Sequence, residues 1–193
     1  MKINKLENNI FYYTNLLEDN KSFLNDIENI DDFNLISKWN PWYSSNSNTK
    51  YGEYKEIIPS LINNLSNINS VRIINNITTS ISKCIENYIK ETKADPGYLP
   101  AIVNVRKYDT EAYMGPHIDT EDERDKTKPS ISLVFYLNDD YEGGQIEFPN
   151  QGISLKPEAG SIIIFPSTSP YYHDPKPVIK GTKYLIPVFW YKY

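Results

Sequence analysis

The chain has 193 residues, of which 39% are hydrophobic and 13% aromatic, and its 20 lysines and arginines face 25 aspartates and glutamates. This length favours a single domain over residues 1–193, with a core large enough to need neither disulfides nor a structural metal. The formal net charge of −5 disfavours nucleic acid as the main partner, because no broad basic surface is available to neutralise phosphates.

Cysteine content and apolar segments bear on the cellular compartment. Cys84 is the only cysteine, which excludes an internal disulfide and any zinc-thiolate or iron-sulfur site held by this chain alone. No apolar run reaches the roughly 18 residues of a membrane span, and Met1–Asn9 lacks the apolar stretch of a secretion signal. We therefore expect a cytoplasmic protein with no membrane partner.

The first part of the chain, residues 1–97, is predicted to be a helical and irregular elaboration. Ile10–Leu17 is typical of a strand or of the entry to a helix, and Asp19–Ile30 carries apolar residues at helical spacing. Asn40–Lys50 is rich in Ser and Asn and is predicted to be a loop.

A long helix is predicted near residues 69–93, with Asn69 or Ser70 as its cap. Apolar residues repeat there every three or four positions, at Ile73, Ile74, Ile77, Ile81, Ile85, Tyr88 and Ile89. Cys84 lies beside this stripe, which favours a buried and inert thiol over a catalytic one.

From residue 98 onward, short apolar runs alternate with turn residues, which predicts β structure. The predicted strands are Ala101–Tyr108, Ser130–Leu137, Gln145–Phe148, Ser161–Phe165 and Lys183–Trp190. Such short connections leave no room for crossover helices, so the sheet is expected to be mainly antiparallel, as in a sandwich or barrel. The sequence thus predicts an α+β fold with helices first and a β sandwich after them.

Both histidines of the chain, His117 and His173, lie in this second part, and Asp119 follows His117 by two positions. Residues i and i+2 of an extended strand project from one face, so His117 and Asp119 can point at a common atom. Two imidazoles and one carboxylate on one face of a metal leave adjacent positions open, as in non-haem Fe(II) oxygenases. For the His-x-Asp triplet alone, a hydrogen-bonded polar pair is the alternative.

Lys183 begins the last strongly apolar run, ten residues after His173. Burying an unpaired ammonium costs several kcal/mol, so a buried lysine here calls for an anion, which a bound dicarboxylate would supply. The alternative is a lysine that opens its strand in solvent.

Three segments occur in order along the chain: VNVRKYDTEAYMGPHIDTE, SISLVFYLNDDYEGGQIEFP and KPEAGSIIIFPSTSPYYHDPKPVIKGTKYLIPVFWY. Through them Ala101–Trp190 resembles the 2-oxoglutarate- and Fe(II)-dependent dioxygenases, in particular the prolyl 4-hydroxylase-like group. The resemblance implies a double-stranded β-helix catalytic core (jelly-roll, cupin-like) over residues 98–193, backed by the N-terminal helices.

The resemblance also implies roles for individual residues. His117, Asp119 and His173 would bind Fe(II), and Lys183 would bind the distal carboxylate of 2-oxoglutarate. Tyr108 would donate a hydrogen bond to the same carboxylate. No catalytic residue is implied beyond the metal ligands.

Two positions near the cosubstrate depart from the family pattern. Ile146 stands where threonine is common, so one expected hydroxyl is absent. Phe189 occupies the offset at which a tryptophan is common, and Trp190 follows it.

The implied reaction uses O2 and 2-oxoglutarate, hydroxylates an unactivated C–H bond and releases succinate and CO2, with ascorbate as a candidate reductant. The group implies a prolyl residue of a peptide or protein as the substrate, and a free amino acid or other small molecule is an alternative. Repair of a nucleic acid base is disfavoured, because none of the arginines follows His173. A second alternative is an inactive β sandwich that serves as a metal-binding or interaction module.

The segment Thr120–Lys128 is densely charged. A solvated loop is the ordinary interpretation of such a run, and a mobile lid that attracts a cationic peptide is the functional one. The acids in question are Glu121, Asp122, Glu123 and Asp125.

Overall fold

The computed structural model describes residues 1–29, 38–43, 49–57, 68–100, 103–122, 124–125 and 127–193. The helices are α1 (Asn20–Asn29) and α2 (Ile68–Thr92). The strands of the first part are β1 (Lys2–Lys5), β2 (Phe11–Thr14), β3 (Asn40–Tyr43), β4 (Lys50–Ile57) and β5 (Gly97–Tyr98). The strands of the second part are β6 (Val103–Tyr108), β7 (Ile131–Tyr136), β8 (Glu142–Gly143), β9 (Ile146–Phe148), β10 (Ile153–Leu155), β11 (Ser161–Pro166), β12 (Asp174–Pro175), β13 (Val178–Lys180) and β14 (Lys183–Lys192).

One large sheet of nine strands organises these elements. Its order is β1-β2-β11-β7-β14-β6-β4-β3, and β5 pairs with the end of β14. Two smaller sheets have the orders β10-β9-β12 and β13-β8, and the strand pairs of all three sheets are antiparallel. The predicted α+β class with a mainly antiparallel sheet is confirmed.

The large sheet is covered on both faces, as the residues of β11 illustrate. Ile162 and Ile164 pack into the core that contains the helices, whereas Ile163 and Phe165 pack into the core that contains β9 and β13. Successive residues of a strand point to opposite faces, so a continuous apolar run is what a strand buried on both sides requires. The molecule therefore has three layers: helices, large sheet and smaller sheets.

Helix α2 confirms the prediction near residues 69–93, and its apolar stripe is buried against the helix face of the sheet. Ile73, Ile77 and Cys84 are fully buried in this core. Burial raises the pKa of the Cys84 thiol to about 12, which keeps the thiol protonated and unreactive, as expected. None of the described helices combines the length and the apolar character needed to cross a membrane.

The first part of the chain contains more β structure than predicted. Strands β1, β2, β3 and β4 extend the large sheet at both of its edges, where residues 1–97 were expected to be helical and irregular. The loop prediction for Asn40–Lys50 is wrong at its start, because Asn40–Tyr43 pairs with β4. Residues 44–48, Ile30 and residues 101–102, which also fell within predicted elements, lie outside the described residues.

The physical reason for this error is that these strands are specified by distant partners. Strand β4 is rich in charged residues, yet it pairs with β6 over Glu53–Ile57. Its Lys55 is buried and donates hydrogen bonds from Nζ to the carbonyls of Ile27 and Glu28 at the end of α1, at 2.9 and 3.1 Å. A local apolar pattern cannot reveal contacts of this kind, because β preference depends on packing context.

Candidate active site

The two histidines are brought together by their own backbones. His117 and His173 form an isolated antiparallel bridge in which each N–H donates to the carbonyl of the other at 2.9 Å. Their imidazole rings consequently lie with centroids 4.3 Å apart.

Asp119 completes a triad with these rings. Its Oδ1 is 3.3 Å from His117 Nε2, and its Oδ2 is 3.9 Å from His173 Nε2. The three potential ligand atoms all lie within 4.8 Å of one another. Among the residues that the structure describes, this is the one group of three or more such side chains close enough to share a metal ion.

Backbone carbonyls orient both imidazoles. His117 Nδ1 lies 2.8 Å from the carbonyl oxygen of Gly115, and His173 Nδ1 lies 3.2 Å from that of Tyr171. A carbonyl oxygen only accepts hydrogen bonds, so each Nδ1 carries a proton, and in the neutral ring each Nε2 presents its lone pair to the centre of the triad. This arrangement is the usual outer support of a metal-binding histidine.

Asp119 is held by a chain of two hydroxyls. Ser132 donates from Oγ to Asp119 Oδ2 at 2.6 Å, and the Ser132 and Ser167 hydroxyls are hydrogen-bonded at 2.7 Å. Burial opposes ionisation of the Asp119 carboxyl, but the hydrogen bond from Ser132 and the proximity of the two imidazoles outweigh it and lower its pKa.

The two imidazoles of the triad differ in their tendency to hold a proton. Burial lowers the pKa of His173, which favours the neutral imidazole that a metal requires. The pKa of His117 is raised despite burial, because the Asp119 carboxylate and the Gly115 carbonyl stabilise the protonated ring, so a metal bound at Nε2 would displace a proton there. A carboxylate with two oriented imidazoles is a donor set that fits a divalent transition metal.

A cavity of about 90 Å³ opens in front of the triad, between the large sheet and the smaller sheets. Tyr108 and Lys183 line it together with the triad. Its remaining wall is mostly apolar and includes Ile146, Phe165, Leu185, Pro187 and Phe189.

Lys183 is buried in this cavity, with 3% of its surface exposed. Its Nζ donates to the carbonyl oxygen of Gly144 at 2.6 Å, and no described carboxylate forms an ion pair with it. Burial, reinforced by the charge of Lys156, lowers its pKa to about 7. The interpretation of Lys183 as a solvent-exposed strand start is therefore wrong, and the lysine is buried without an anion, as a dicarboxylate site would require.

Gly144 helps to make room for this ammonium. It has a φ of +66°, in the left-handed region that favours glycine. A Cβ at this position would lie 2.7 Å from the Tyr141 ring and 3.2 Å from Lys183 Cδ. The double-glycine turn thus allows close approach of the backbone to the lysine.

The two positions that depart from the family pattern, Ile146 in β9 and Phe189 in β14, both line the cavity. Ile146 is buried, so the cavity wall is apolar at the position where threonine is common in the family. Phe189 also lines the cavity, whereas its neighbour Trp190 packs against the core on the helix side. Strand alternation therefore makes Phe189, and not Trp190, the aromatic residue of the site.

The charged segment 120–128 is only partly described, since residues 123 and 126 lie outside the described set. Arg124 donates two hydrogen bonds to the Asp122 carboxylate, at 2.9 and 3.0 Å. Asp125 accepts from the hydroxyl of Thr127 at 2.6 Å. These local pairs are those of a solvated loop, and the lid stays a prediction.

Comparison with known proteins places this geometry in context. Residues 103–192 match the family model described as the 2OG-Fe(II) oxygenase superfamily. This segment belongs to that superfamily. The resemblance inferred from the sequence is thereby confirmed, and the iron and 2-oxoglutarate implied for the superfamily are consistent with the triad and its cavity. No curated protein sequence matches the chain.

Solved structures agree with the family match at the level of the fold. A viral collagen prolyl hydroxylase from Paramecium Bursaria Chlorella virus-1, solved as a 2OG complex, aligns with a TM-score of 0.65, 16% identity and coverage of 96% of this chain and 97% of that chain. A prolyl hydroxylase from Trichoplax adhaerens, solved with a hypoxia inducible factor peptide fragment, aligns with a TM-score of 0.62, 16% identity and coverage of 96% and 84%. A Pseudomonas putida prolyl-4-hydroxylase aligns with a TM-score of 0.63 and 13% identity, and the alignment covers 96% of this chain and 93% of that chain. At these identities the likeness shows the fold, and the predicted jelly-roll is confirmed.

Sequence reasoning missed the residues that support this candidate site. The Ser132 hydroxyl and the carbonyls of Gly115 and Tyr171 carry no motif of their own. Arg106 also lines the cavity, and it could have been found because it lies two positions before Tyr108 on the same predicted strand face.

Proposed function

We propose that the chain is an Fe(II)- and 2-oxoglutarate-dependent dioxygenase that hydroxylates a prolyl residue in a peptide or protein, with release of succinate and CO2. The observation that carries the proposal is the meeting of His117, Asp119 and His173 in one cavity with the buried Lys183. These four side chains supply both a metal-binding face and a cation for an acidic cosubstrate.

His117, Asp119 and His173 are the residues that would hold the iron. Bound Fe(II) would supply the activation of O2 and the oxidative decarboxylation of 2-oxoglutarate that drive hydroxylation. The three side chains approach from one side, so the cosubstrate and O2 would meet the ion from the cavity. Ser132 keeps the Asp119 carboxylate ionised and aimed at the imidazoles.

Lys183 and Tyr108 are the residues that would bind the distal carboxylate of 2-oxoglutarate. Their backbones are paired across β14 and β6, and both side chains line the cavity. An arriving carboxylate would give the Lys183 ammonium the anion that the protein itself does not supply. The binding energy of this ion pair is large because the site is desolvated on all other sides.

The apolar wall has a role of its own. Phe165, Leu185 and Phe189 exclude water from the space in front of the triad. Dry surroundings protect a strong oxidant from side reactions, so hydroxylation is directed to the substrate C–H bond. No residue of the chain is assigned as a general acid or base.

The prolyl substrate is supported by the fold likeness to three prolyl hydroxylases, one of them solved with a peptide. The sequence matches this class in the order and spacing of His117, Asp119, His173 and Lys183. O2 and a proline-containing peptide are accordingly the proposed partners.

The decisive experiment is incubation of the purified protein with Fe(II), 2-oxoglutarate, ascorbate and O2. Succinate release without a prime substrate, abolished in Asp119→Asn, is the expected result. Mass spectrometry of proline-containing peptides from the same reaction should show a gain of one oxygen atom. Absence of succinate together with absence of metal binding would favour an inactive interaction module.

A further inference from the structure

One cation at the candidate active site has no assigned partner. Arg106 lines the same cavity as His117 and Asp119, and its side chain is partly exposed. Its guanidinium lies over the Trp42 ring, 4.0 Å from Cζ to the centroid. Within the described ranges no carboxylate forms an ion pair with it. A guanidinium has five N–H donors, so most of them are still available.

Arg106 also borders a second cavity of about 270 Å³, which we call the outer groove. Trp42, Tyr54, Glu56 and Asn104 are its other lining residues. In the sheet register Tyr54 is opposite Arg106 and Glu56 is opposite Asn104, so the groove is the continuation of the active-site face across β6, β4 and β3. Arg106 is the residue that the two cavities share.

The outer groove has the chemistry of a recognition surface. Stacking on Trp42 fixes the plane of the guanidinium while leaving its N–H edges free for a planar, bidentate anion. Asn104 has a buried Oδ1 with no hydrogen-bond partner among the described residues, which is an acceptor suited to a peptide N–H. Glu56, the acid of this groove, is exposed.

We propose that Arg106 is a specificity-determining residue that binds a carboxylate of the prime substrate, next to the residue that is hydroxylated. This inference rests on the proposed function for the identity of the reacting residue. The carboxylate belongs either to an acidic side chain beside the target proline or to a C-terminal or free amino acid carboxyl group.

Two cations at one site then serve different anions. Lys183 is almost fully buried, donates to the double-glycine turn and does not line the outer groove. Arg106 is partly exposed and borders the groove through which a peptide would enter. A dicarboxylate cosubstrate is held by the first, and the prime substrate by the second.

The test compares matched peptides by isothermal titration, with the metal-free protein as well as with Mn²⁺ and 2-oxoglutarate. The probes are the acetylated and amidated tetrapeptides Gly-Pro-Glu-Gly and Gly-Pro-Gln-Gly, acetylated Gly-Pro with a free carboxyl, its amide, and free L-proline. The acid that matches the site should bind about tenfold more tightly than its amide, because a charge-assisted hydrogen bond contributes a free energy of that size. The glutamate pair and the free carboxyl pair distinguish the two sources.

Variants assign the preference to the guanidinium. In Arg106→Gln the ratio of the affinities for the acid and the amide should fall to about one. Arg106→Lys should keep part of the preference for the acid, because a lysine retains the charge without the bidentate fork. Lys107→Gln is the matched control, since Lys107 is the adjacent residue on the opposite face and pairs with Glu28 at 3.4 Å. Its ratio should equal that of the wild type.

Three results would overturn the inference: no acid preference in the wild-type protein, a preference that survives in Arg106→Gln, or a loss of 2-oxoglutarate affinity in Arg106→Gln as large as the loss for the acidic peptide. Binding is measured without turnover. A protein that prefers the acidic peptide but produces no succinate would refute the proposed function and leave the carboxylate site standing.

Discussion

Lys183 and Tyr108 are directly opposite each other in the antiparallel pairing of β14 with β6. Both side chains therefore project from the same sheet face into one cavity, although the residues are far apart in the sequence. An ammonium and a phenol hydroxyl are both hydrogen-bond donors, so the pairing creates a site for an anion that neither strand could form alone.

Replacing Lys183 should raise the stability of the protein and abolish its binding of the cosubstrate. Lys183→Met removes a buried ammonium while keeping the length of the side chain, so we expect the free energy of unfolding at neutral pH to rise by about 2–4 kcal/mol. Binding of 2-oxoglutarate should be lost in the same variant. Denaturant unfolding and titration with 2-oxoglutarate measure the two effects.

Lys180→Met is the control for this substitution, because the Lys180 side chain is 78% exposed and pairs with the exposed Glu142. It should change neither quantity. A Lys183→Met protein that is less stable, or that still binds 2-oxoglutarate at wild-type affinity, would contradict the role proposed for the lysine.

The depressed pKa of Lys183 predicts how affinity for 2-oxoglutarate depends on pH. Burial lowers this pKa from 10.5 to about 7. Above about pH 7 the free protein holds the neutral amine, and binding a carboxylate requires proton uptake, so affinity should fall by up to about tenfold per pH unit. Isothermal titrations of 2-oxoglutarate in buffers of different ionisation enthalpy would measure the number of protons taken up on binding.

Stability should depend on pH in the opposite direction to 2-oxoglutarate affinity. The folded protein binds fewer protons at Lys183 than the unfolded chain between about pH 7 and 10.5, so this lysine makes the free energy of unfolding rise with pH over that window. Lys183→Arg stays charged throughout and should flatten both profiles. A wild-type affinity that is constant from about pH 7 to about pH 9 would refute the assignment.

Ser132 is predicted to tune the metal site through Asp119. Ser132→Ala removes the hydrogen bond of 2.6 Å to Oδ2, and metal affinity should fall by about 10- to 100-fold, as for other residues that support a ligand. Anaerobic titration with Fe(II), or with Mn²⁺ as a redox-stable substitute, measures this change.

Ser130→Ala is the matched comparison, because Ser130 lies two positions earlier and its hydroxyl donates to the carbonyl of Trp190 at 3.2 Å. Its metal affinity should be that of the wild type. Equal affinities for the two variants would mean that the serine hydroxyl does not support the ligand.

Helix α2 is predicted to stabilise the sheet that carries the site. Ile77 is fully buried in the helix-side core, so Ile77→Ala should lower the free energy of unfolding by about 2–4 kcal/mol. Thr79→Ala changes an exposed position of the same helix and should stay within about 0.5 kcal/mol of the wild type. Urea unfolding followed by circular dichroism gives both values, and similar losses in the two variants would argue against this packing.

The sequence by itself determined the elements whose signal is local. The apolar stripe of α2, the doubly buried run of β11 and the strand that begins at Lys183 are periodic or continuous apolar patterns, and each was predicted near its observed position. The triad and Lys183 were predicted from motif order and spacing, because a family motif keeps residue types at fixed separations.

Tertiary structure alone decided the rest. Strands β3 and β4 are recruited by pairing with β6, which no local pattern encodes. The burial of Lys183, the hydroxyl chain from Ser167 through Ser132 to Asp119, and the position of Arg106 between two cavities all depend on which strands become neighbours. Periodicity reports which face of an element is apolar, but the partner that covers that face, and hence the electrostatics of a polar group on it, is set by contacts between distant parts of the chain.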